Sequence, residues 1–243
     1  MMEALYSFPV LQTPIYLILW SFLVYAFLGV VVEAVFCLVH DHVLESRVGL
    51  LYLPLRPVYG IGGVACALLL QQHRHQPVAL FLLGALICSV VEYVSSFVTE
   101  KVFGTVSWDY SDKVLNLHGR ICVQFSACFG LLAVATLYGI DPLVRGTLDL
   151  LDRRVVEAVL TAIMGLVLLS TALTIAALKR IRRRIDDLEG HRRETGRNVT
   201  DTVWDRLVER LAPDAVMIKT FPQMGLMTQL ATVTVHRQAL IGS

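Results

Sequence analysis

Two glutamates stand in apolar runs that are long enough to cross a membrane. Glu33 lies in the run Ile15–Leu38, and Glu92 lies in the run Val78–Val98. A carboxylate at such a depth costs about a few kcal/mol or more, so it usually faces a protein interior and has a partner. The pair therefore predicts a membrane bundle that keeps ionisable groups within the bilayer.

Further polar residues share helix faces with these two acids. Glu92, Ser96 and Glu100 recur at four-residue intervals, which places them on one face of a helix. In the first run Gly29 and Glu33 share a face, and a glycine there allows a neighbouring helix to approach closely. Both acids are therefore expected to point towards other helices of the bundle.

Three arginines are predicted to lie at the same end of the bundle. Arg47 and Arg56 flank a segment that contains Pro54 and Pro57, and Arg120 opens the fourth apolar run. Proline donates no backbone hydrogen bond and disfavours helix before it, so this segment breaks the second helix. Non-helical backbone at membrane depth is stable only when it is buried in protein or lines a wet cavity. The arginines would neutralise the two acids, either as structural ion pairs or within a site for a substrate, a proton or a lipid headgroup.

The loop before the fourth apolar run concentrates polar and aromatic side chains. Trp108 and Tyr110 are typical of a membrane interface. Asp109 and Asn116 would either bind a cation or a headgroup, or form a hydrogen-bonded cap over the bundle. The sequence assigns no catalytic residue. The candidate cavity and ion-pair residues are Glu33, Arg47, Arg56, Tyr59, Glu92, Ser96, Glu100, Asp109, Asn116 and Arg120.

The composition predicts the elements that position these side chains. Apolar residues make up 56% of the 243 residues and charged residues 17%, a balance that favours a membrane protein. A helix needs about 20 apolar residues to span the hydrocarbon core. The sequence predicts an all-α, polytopic membrane helix bundle with about five transmembrane helices, the second broken near its start. The predicted spans lie near residues 15–38, 50–70, 78–98, 121–140 and 155–178.

The orientation follows from the distribution of basic residues. The last span ends in the basic cluster Lys179–Arg184, and such clusters stay on the cytoplasmic side. Residues 1–178 would form the bundle with the N-terminus outside, and residues 179–243 a charged stalk and a partly disordered cytoplasmic tail. Within the tail, Asp201–Leu211 has apolar residues at helical spacing. This segment is predicted to be a short amphipathic helix that lies on the membrane surface or covers its neighbours.

Several functional classes lack support in the sequence. The net charge of +1 gives no sign of nucleic-acid binding. The chain has no Walker A sequence, no Gly-x-Ser-x-Gly elbow and no HExxH motif, so no enzyme class is assigned. The five cysteines form no CxxC pair and are interpreted as small buried residues. Neither a cofactor nor a metal site is predicted.

Several short motifs occur in order between Pro14 and Ile140. They are Gly29 with Glu33, Arg47–Gly60, Glu92-Tyr93, Ser95-Ser96, Glu100-Lys101, Trp108–Ser111, Asn116 and Gly119–Cys122. This series resembles the bacterial membrane family known as Putative ABC-transporter type IV, or ABC transporter permease (CmpB-like). The resemblance implies a transport function and a bacterial inner membrane. The sequence departs from the family at Arg56, where a cysteine is usual, which adds a cation beside the broken helix.

Three functions are compatible with the sequence, and the first is favoured. One is a permease or transport-associated subunit that has a cytoplasm-facing polar cavity and works with a separate ATPase subunit or membrane partner. Another is a membrane scaffold or regulatory protein whose tail recruits a partner. The third is a membrane-embedded enzyme in which a glutamate acts as general base on a lipid headgroup and arginine holds the phosphate. The lipid bilayer is a partner in each.

Overall fold

The protein is a bundle of helices with two very short hairpins. The computed structural model describes residues 9–10, 13–40, 42, 48–191, 202–222, 224–229 and 232. Both two-stranded sheets, β1–β2 and β3–β4, are antiparallel. In chain order the elements are β1 (Pro9–Val10), β2 (Thr13–Pro14), α1 (Ile15–His40), α2 (Pro57–Leu69), a 3-10 turn (Gln71–His73), α3 (Pro77–Phe103), β3 (Asn116–Leu117), β4 (Ile121–Cys122), α4 (Val123–Ala135), a π-helical turn (Thr136–Ile140), α5 (Asp141–Asp149), α6 (Arg153–His191), α7 (Val203–Leu211) and α8 (Asp214–Thr220).

Most of the predicted spans are present as long apolar helices. Within the described residues, four stretches are long and apolar enough to cross a membrane: Ile15–Val39, Pro77–Phe103, Val123–Asp149 and Arg153–Asp186. Helix α2 has 13 residues, about 20 Å at 1.5 Å per residue, which is shorter than a hydrocarbon core of about 30 Å. The predicted all-α membrane bundle is confirmed, and its second segment is a short helix.

The break before α2 is stabilised by side chains from another helix. The Leu51 backbone N–H donates to Thr174 Oγ1 at 3.0 Å, and Ser170 Oγ donates to the Leu51 carbonyl at 2.5 Å. The Arg56 N–H donates to the Ala26 carbonyl at 3.0 Å. Because the irregular backbone finds these partners, Leu51 and Leu55 can be buried without loss of backbone hydrogen bonds. The segment thereby fixes the position of Arg56 at the start of α2.

Helices α1 and α2 approach each other at glycines. A Cβ on Gly60 would lie 2.8 Å from the Phe22 carbonyl oxygen, and a Cβ on Gly29 would overlap Tyr59. Small residues at an interface let two helix backbones come close, as expected for Gly29. The close approach turns the Tyr59 side chain towards α1.

Helix α4 continues through the π-helical turn into α5, beyond the predicted limit at residue 140. Pro142 is tolerated because it lies in the first turn of α5, where no backbone N–H is needed. Asp141 is fully buried at this point. It accepts a hydrogen bond from Tyr25 Oη at 3.1 Å and pairs with Arg145 Nε at 2.9 Å. The sequence analysis did not single out this buried carboxylate.

The tail folds back onto the end of α6. Val208 of α7 and Met217 of α8 are buried in one cluster with Leu51 and Ile181. Arg180 is buried, forms an ion pair with Asp214, and lies 3.4 Å from a Glu209 carboxylate oxygen. The predicted tail helix therefore covers its neighbours with one face. The predicted disorder of the tail stays a prediction for residues 192–201 and 233–243, which lie outside the described residues.

Candidate functional site

A cavity of about 500 Å³ lies between α1, α2, α3 and α4. Its walls include Glu33 from α1, Tyr59 from α2 and Glu92 from α3, together with Arg56 from the break before α2. Four of the predicted site residues are thus brought together, although they come from separate parts of the chain. Most of the remaining wall is apolar, so the polar groups form a localised cluster.

Glu33 has both a cation and a phenol as partners. Arg56 Nε lies 3.1 Å from Glu33 Oε1, and Tyr59 Oη donates to the same oxygen at 3.0 Å. The side chains of Arg56 and Glu33 are only 16% and 14% exposed. The Arg56 guanidinium also lies 5.9 Å from the Trp108 ring centre. The charge of Glu33 is therefore balanced inside the bundle, as the sequence predicts for an intramembrane acid.

Glu92 has a different environment, although it lines the same cavity. The residue is 5% exposed, and its Oε1 accepts a hydrogen bond from Tyr110 Oη at 3.2 Å. Its Oε2 is buried and has no hydrogen-bond partner among the described residues. Burial and the nearby Glu92 charge raise the pKa of Tyr110, so the phenol is a neutral donor. One oxygen of Glu92 thus retains an unused acceptor position inside the protein.

Aromatic rings form much of the wall around these acids. Tyr110 stacks on Phe125 with ring centres 4.8 Å apart, and Phe36 meets Phe125 edge to face at 5.6 Å. Tyr59 contacts Phe129 edge to face at 6.1 Å. All five rings line the cavity. The faces of aromatic rings carry partial negative charge.

The loop after α3 closes one end of the bundle through its own hydrogen bonds. Asp109 Oδ1 accepts hydrogen bonds from the Ser111 hydroxyl at 2.5 Å and from the Ser111 backbone N–H at 2.9 Å. These two hydrogen bonds lower the pKa of Asp109. Asn116 accepts from the Gly119 N–H at 3.0 Å and donates to the Lys113 carbonyl at 2.9 Å. Asp109 and Asn116 thus both hold the loop conformation through hydrogen bonds to its backbone.

Arg120 and Glu100 pair with each other outside the main cavity. The Arg120 guanidinium lies 5.3 Å from the Tyr93 ring centre and 5.4 Å from that of Phe97. A separate surface pocket of about 420 Å³ contains Arg120, Glu100, Tyr93 and Asp109. Arg120 thus pairs with Glu100, near the end of α3, and not with Glu33 or Glu92; its part in a functional site stays a prediction.

One further predicted residue, Ser96, does not belong to the cavity lining. Ser96 is fully buried on α3, and its hydroxyl has no hydrogen-bond partner within the described residues. Arg47 lies outside the described residues. Sequence reasoning assigned Tyr110 to the membrane interface and missed its bond to Glu92. Only the path of the loop brings that phenol back over α3, and no local pattern encodes the path.

A comparison with known protein families gives a match, which covers the residues around the cavity. A family model described as Putative ABC-transporter type IV matches residues 20–175. Searches of curated proteins and of solved structures gave no match. The match extends past Ile140, the limit indicated by the motifs, and includes most of the apolar part of α6. All residues that line the cavity lie inside the matched region.

Proposed function

Because the chain belongs to the Putative ABC-transporter type IV family, we propose that it is a permease or transport-associated membrane subunit with its solute site in the cavity described above. The observation that supports this is the clustering of Glu33, Arg56, Tyr59 and Glu92 in one cavity within the family region. Small-molecule sites are typically concave and mostly apolar, with a few polar groups that orient the ligand.

The size and chemistry of the cavity suit a small solute. Its volume of about 500 Å³ falls within the range of ~300–1,000 Å³ that is common for ligand pockets. The partly buried Glu33–Arg56 pair offers both charges, so a polar solute would exchange contacts with this pair as it binds. In this proposal the chain contributes the site and not the energy source, since its sequence has no Walker A motif. A separate ATPase subunit would supply the energy.

The proposed location is the bacterial inner membrane, with the cavity open to the cytoplasm. The basic cluster Lys179–Arg184 supports a cytoplasmic end for α6. In this topology the loop between α1 and α2 and the loop between α3 and α4 also face the cytoplasm. Arg56 and Tyr110 lie in these two loops, so the polar end of the cavity is on the cytoplasmic side. The N-terminus would then lie outside.

The function can be tested without knowing the solute. Inside-out vesicles from native cells that carry the wild-type chain or Glu33→Gln are incubated with an extract of the same cells and ATP, and right-side-out vesicles are loaded with ATP before the same incubation. Their contents are then measured by mass spectrometry. We expect at least one solute to accumulate with ATP in the wild type and not with Glu33→Gln. Glu157→Gln is the control, since this buried carboxylate pairs with Arg153 outside the cavity lining.

The alternatives give different results in the same cells. Identical vesicle contents for all variants would contradict a transport role. If contents stay the same while the lipid composition changes in cells that lack the protein, a lipid-headgroup enzyme is favoured. If Glu33→Gln lowers only the amount of assembled protein, a scaffold is favoured.

A further inference from the structure

We infer that the cavity binds an organic cation: an amine or ammonium group on an apolar body. This inference rests on the proposed function, because it names the class of solute for the same site. Its first support is the charge balance of the lining. Glu33, Glu92 and Arg56 are the ionic side chains among the described lining residues, and Arg56 contacts Glu33. Within the described residues, Arg56 makes its ion pair with Glu33 and not with Glu92.

The second support is the geometry around Glu92. Its Oε1 is occupied by the Tyr110 phenol, whereas the buried Oε2 has no partner among the described residues. A buried acceptor without a partner is unfavourable. An ammonium N–H placed in the cavity would donate to Oε2 and bring a positive charge next to this carboxyl group. A neutral or anionic solute would supply no such charge.

The third support is the aromatic wall next to this acid. Tyr110 and Phe125 stack beside Glu92, and Tyr59 and Phe129 line the same cavity. Aromatic faces attract cations within about 6 Å of the ring centre and also cover apolar groups. A carboxylate with several aromatic rings is thus the combination that recognises an ammonium group carried on a hydrophobic body. Glu33 already has Arg56 as its partner, so Glu92 is the acid with an open acceptor position for the ligand.

The experiment compares two ligands of equal size. Benzylamine is a cation at neutral pH, and benzyl alcohol is its neutral analogue. Both are titrated by calorimetry into the full-length chain in detergent. We expect wild-type protein to bind benzylammonium at least about tenfold more tightly than benzyl alcohol, a difference of ~1.4 kcal/mol. Glu92→Gln should remove this preference, and Glu157→Gln should keep it.

Each outcome has a separate meaning. Equal affinity for the two ligands in the wild type, or an unchanged preference in Glu92→Gln, would overturn the cation inference without affecting the uptake experiment. If Glu92→Gln is not monodisperse on a sizing column, Glu92→Asp replaces it, and the preference should then weaken without vanishing. Cation binding together with absent uptake would leave the ligand class standing and remove the transport role.

The geometry also points to a lipid-binding surface on the tail, on independent grounds. Val203, Trp204, Leu207 and Leu211 of α7 are exposed, with Val203 at 80% and Trp204 at 66%. At about 100° per residue these four side chains share one arc of the helix. The buried Val208 marks the face that packs on α6. The apolar arc therefore points away from the protein.

The position and charge of α7 identify the occupant as an anionic lipid leaflet. Asp205 pairs with Arg183 at 2.9 Å, and Glu209 lies 3.4 Å from Arg180, so α7 lies beside the end of the apolar stretch Arg153–Asp186. The exposed Arg206 and Arg210 border the apolar arc. An apolar arc flanked by arginines is typical of a helix that lies in the interface of an anionic membrane.

Brominated lipids test this surface on the full-length chain. A variant with Trp20→Phe and Trp108→Phe leaves Trp204 as the single tryptophan, in nanodiscs that contain phosphatidylglycerol. We expect acyl-chain bromine to quench Trp204 by about twofold or more, and Leu207→Gln with Leu211→Gln to abolish most of this quenching. Full quenching by aqueous iodide with none by brominated lipid would overturn the proposal. Protection that instead rises with protein concentration would assign the surface to a second copy and would also overturn it.

Discussion

Replacing Gly29 with alanine perturbs the tightest contact between α1 and α2, directly beside the cavity. A Cβ at this position would lie 2.5 Å from Tyr59 Cβ and 2.7 Å from Tyr59 Cδ2. The obstructing atoms belong to the root of the tyrosine side chain, so a change of rotamer cannot remove the clash. The helices must separate, and the Tyr59 hydroxyl must then move relative to Glu33.

A matched glycine isolates the size of this effect. Overpacking of this kind costs about 1–3 kcal/mol. In a helix interior, alanine also makes the helix about 0.8–1 kcal/mol more stable than glycine does. A Cβ on Gly165 of α6 would have no other atom within 4 Å, so Gly165→Ala should show only the stabilisation from helix propensity. Because the helix-propensity terms cancel, the two variants should differ in free energy of unfolding by about 1–3 kcal/mol.

The assay is reversible unfolding in mixed micelles by titration with sodium dodecyl sulfate, followed by circular dichroism. Gly29→Ala should unfold at a lower detergent fraction than the wild type, and Gly165→Ala at the same or a higher fraction. Equal unfolding free energies for the two alanine variants would refute the reasoning, because the close approach of α1 and α2 would then carry no packing constraint.

Three other perturbations have defined outcomes. Thr174→Val leaves the buried Leu51 N–H without its acceptor, so the same titration should show a free energy of unfolding lower by about 1–3 kcal/mol. Cys128 is exposed and lines the cavity, so a charged thiol reagent should label it in inside-out vesicles and not in right-side-out vesicles. Hydrogen bonds from Thr202 lower the pKa of Asp205. This capping contribution should be complete above about pH 4, the unfolded pKa, and should be lost as pH falls through the lower folded value, as followed by Trp204 fluorescence.

Each of these experiments has its own control. Thr171→Val removes a hydroxyl whose one hydrogen bond among the described residues is within α6, to the Val167 carbonyl, and should leave the free energy of unfolding nearly unchanged. Cys128→Ser should abolish the labelling, and equal labelling from both sides would reject a cavity with one opening. Asp205→Asn should remove the acid-dependent change in fluorescence, and a transition that persists in this variant would assign it to another group.

Much of the site could be predicted because its determinants are local. Glu33 and Glu92 stand in apolar runs, so their burial follows from the energy of a carboxylate in hydrocarbon. Pro54 and Pro57 interrupt the second run, which predicts the irregular segment that carries Arg56. A glycine one turn before Glu33 predicted the close helix contact that Tyr59 makes. Spacing along each helix thus predicts which side chains share a face, and the packing of the helices brings those faces together at the cavity.

The choice of partners could not be predicted in the same way. Arg56 and Arg120 are both cations near the same end, yet Arg56 contacts Glu33 and Arg120 contacts Glu100. The length and course of the loop after α3 decide this, since they bring Tyr110 over Glu92 and place Arg120 beside Glu100. The buried Asp141 was missed for a related reason, since α4 continues as helix where residue 140 was the expected end.

The sequence by itself determined that this is a helical membrane protein of a recognisable family, with two acids in its spans and a proline-broken second segment. Hydrophobicity, helical period and proline geometry are properties of short stretches, so they can be read without knowing the fold. The tertiary structure alone decided which cation pairs with which acid, where the cavity lies and how the tail covers α6. Those features depend on the distances between residues far apart in the chain, and such distances exist only after the helices have packed.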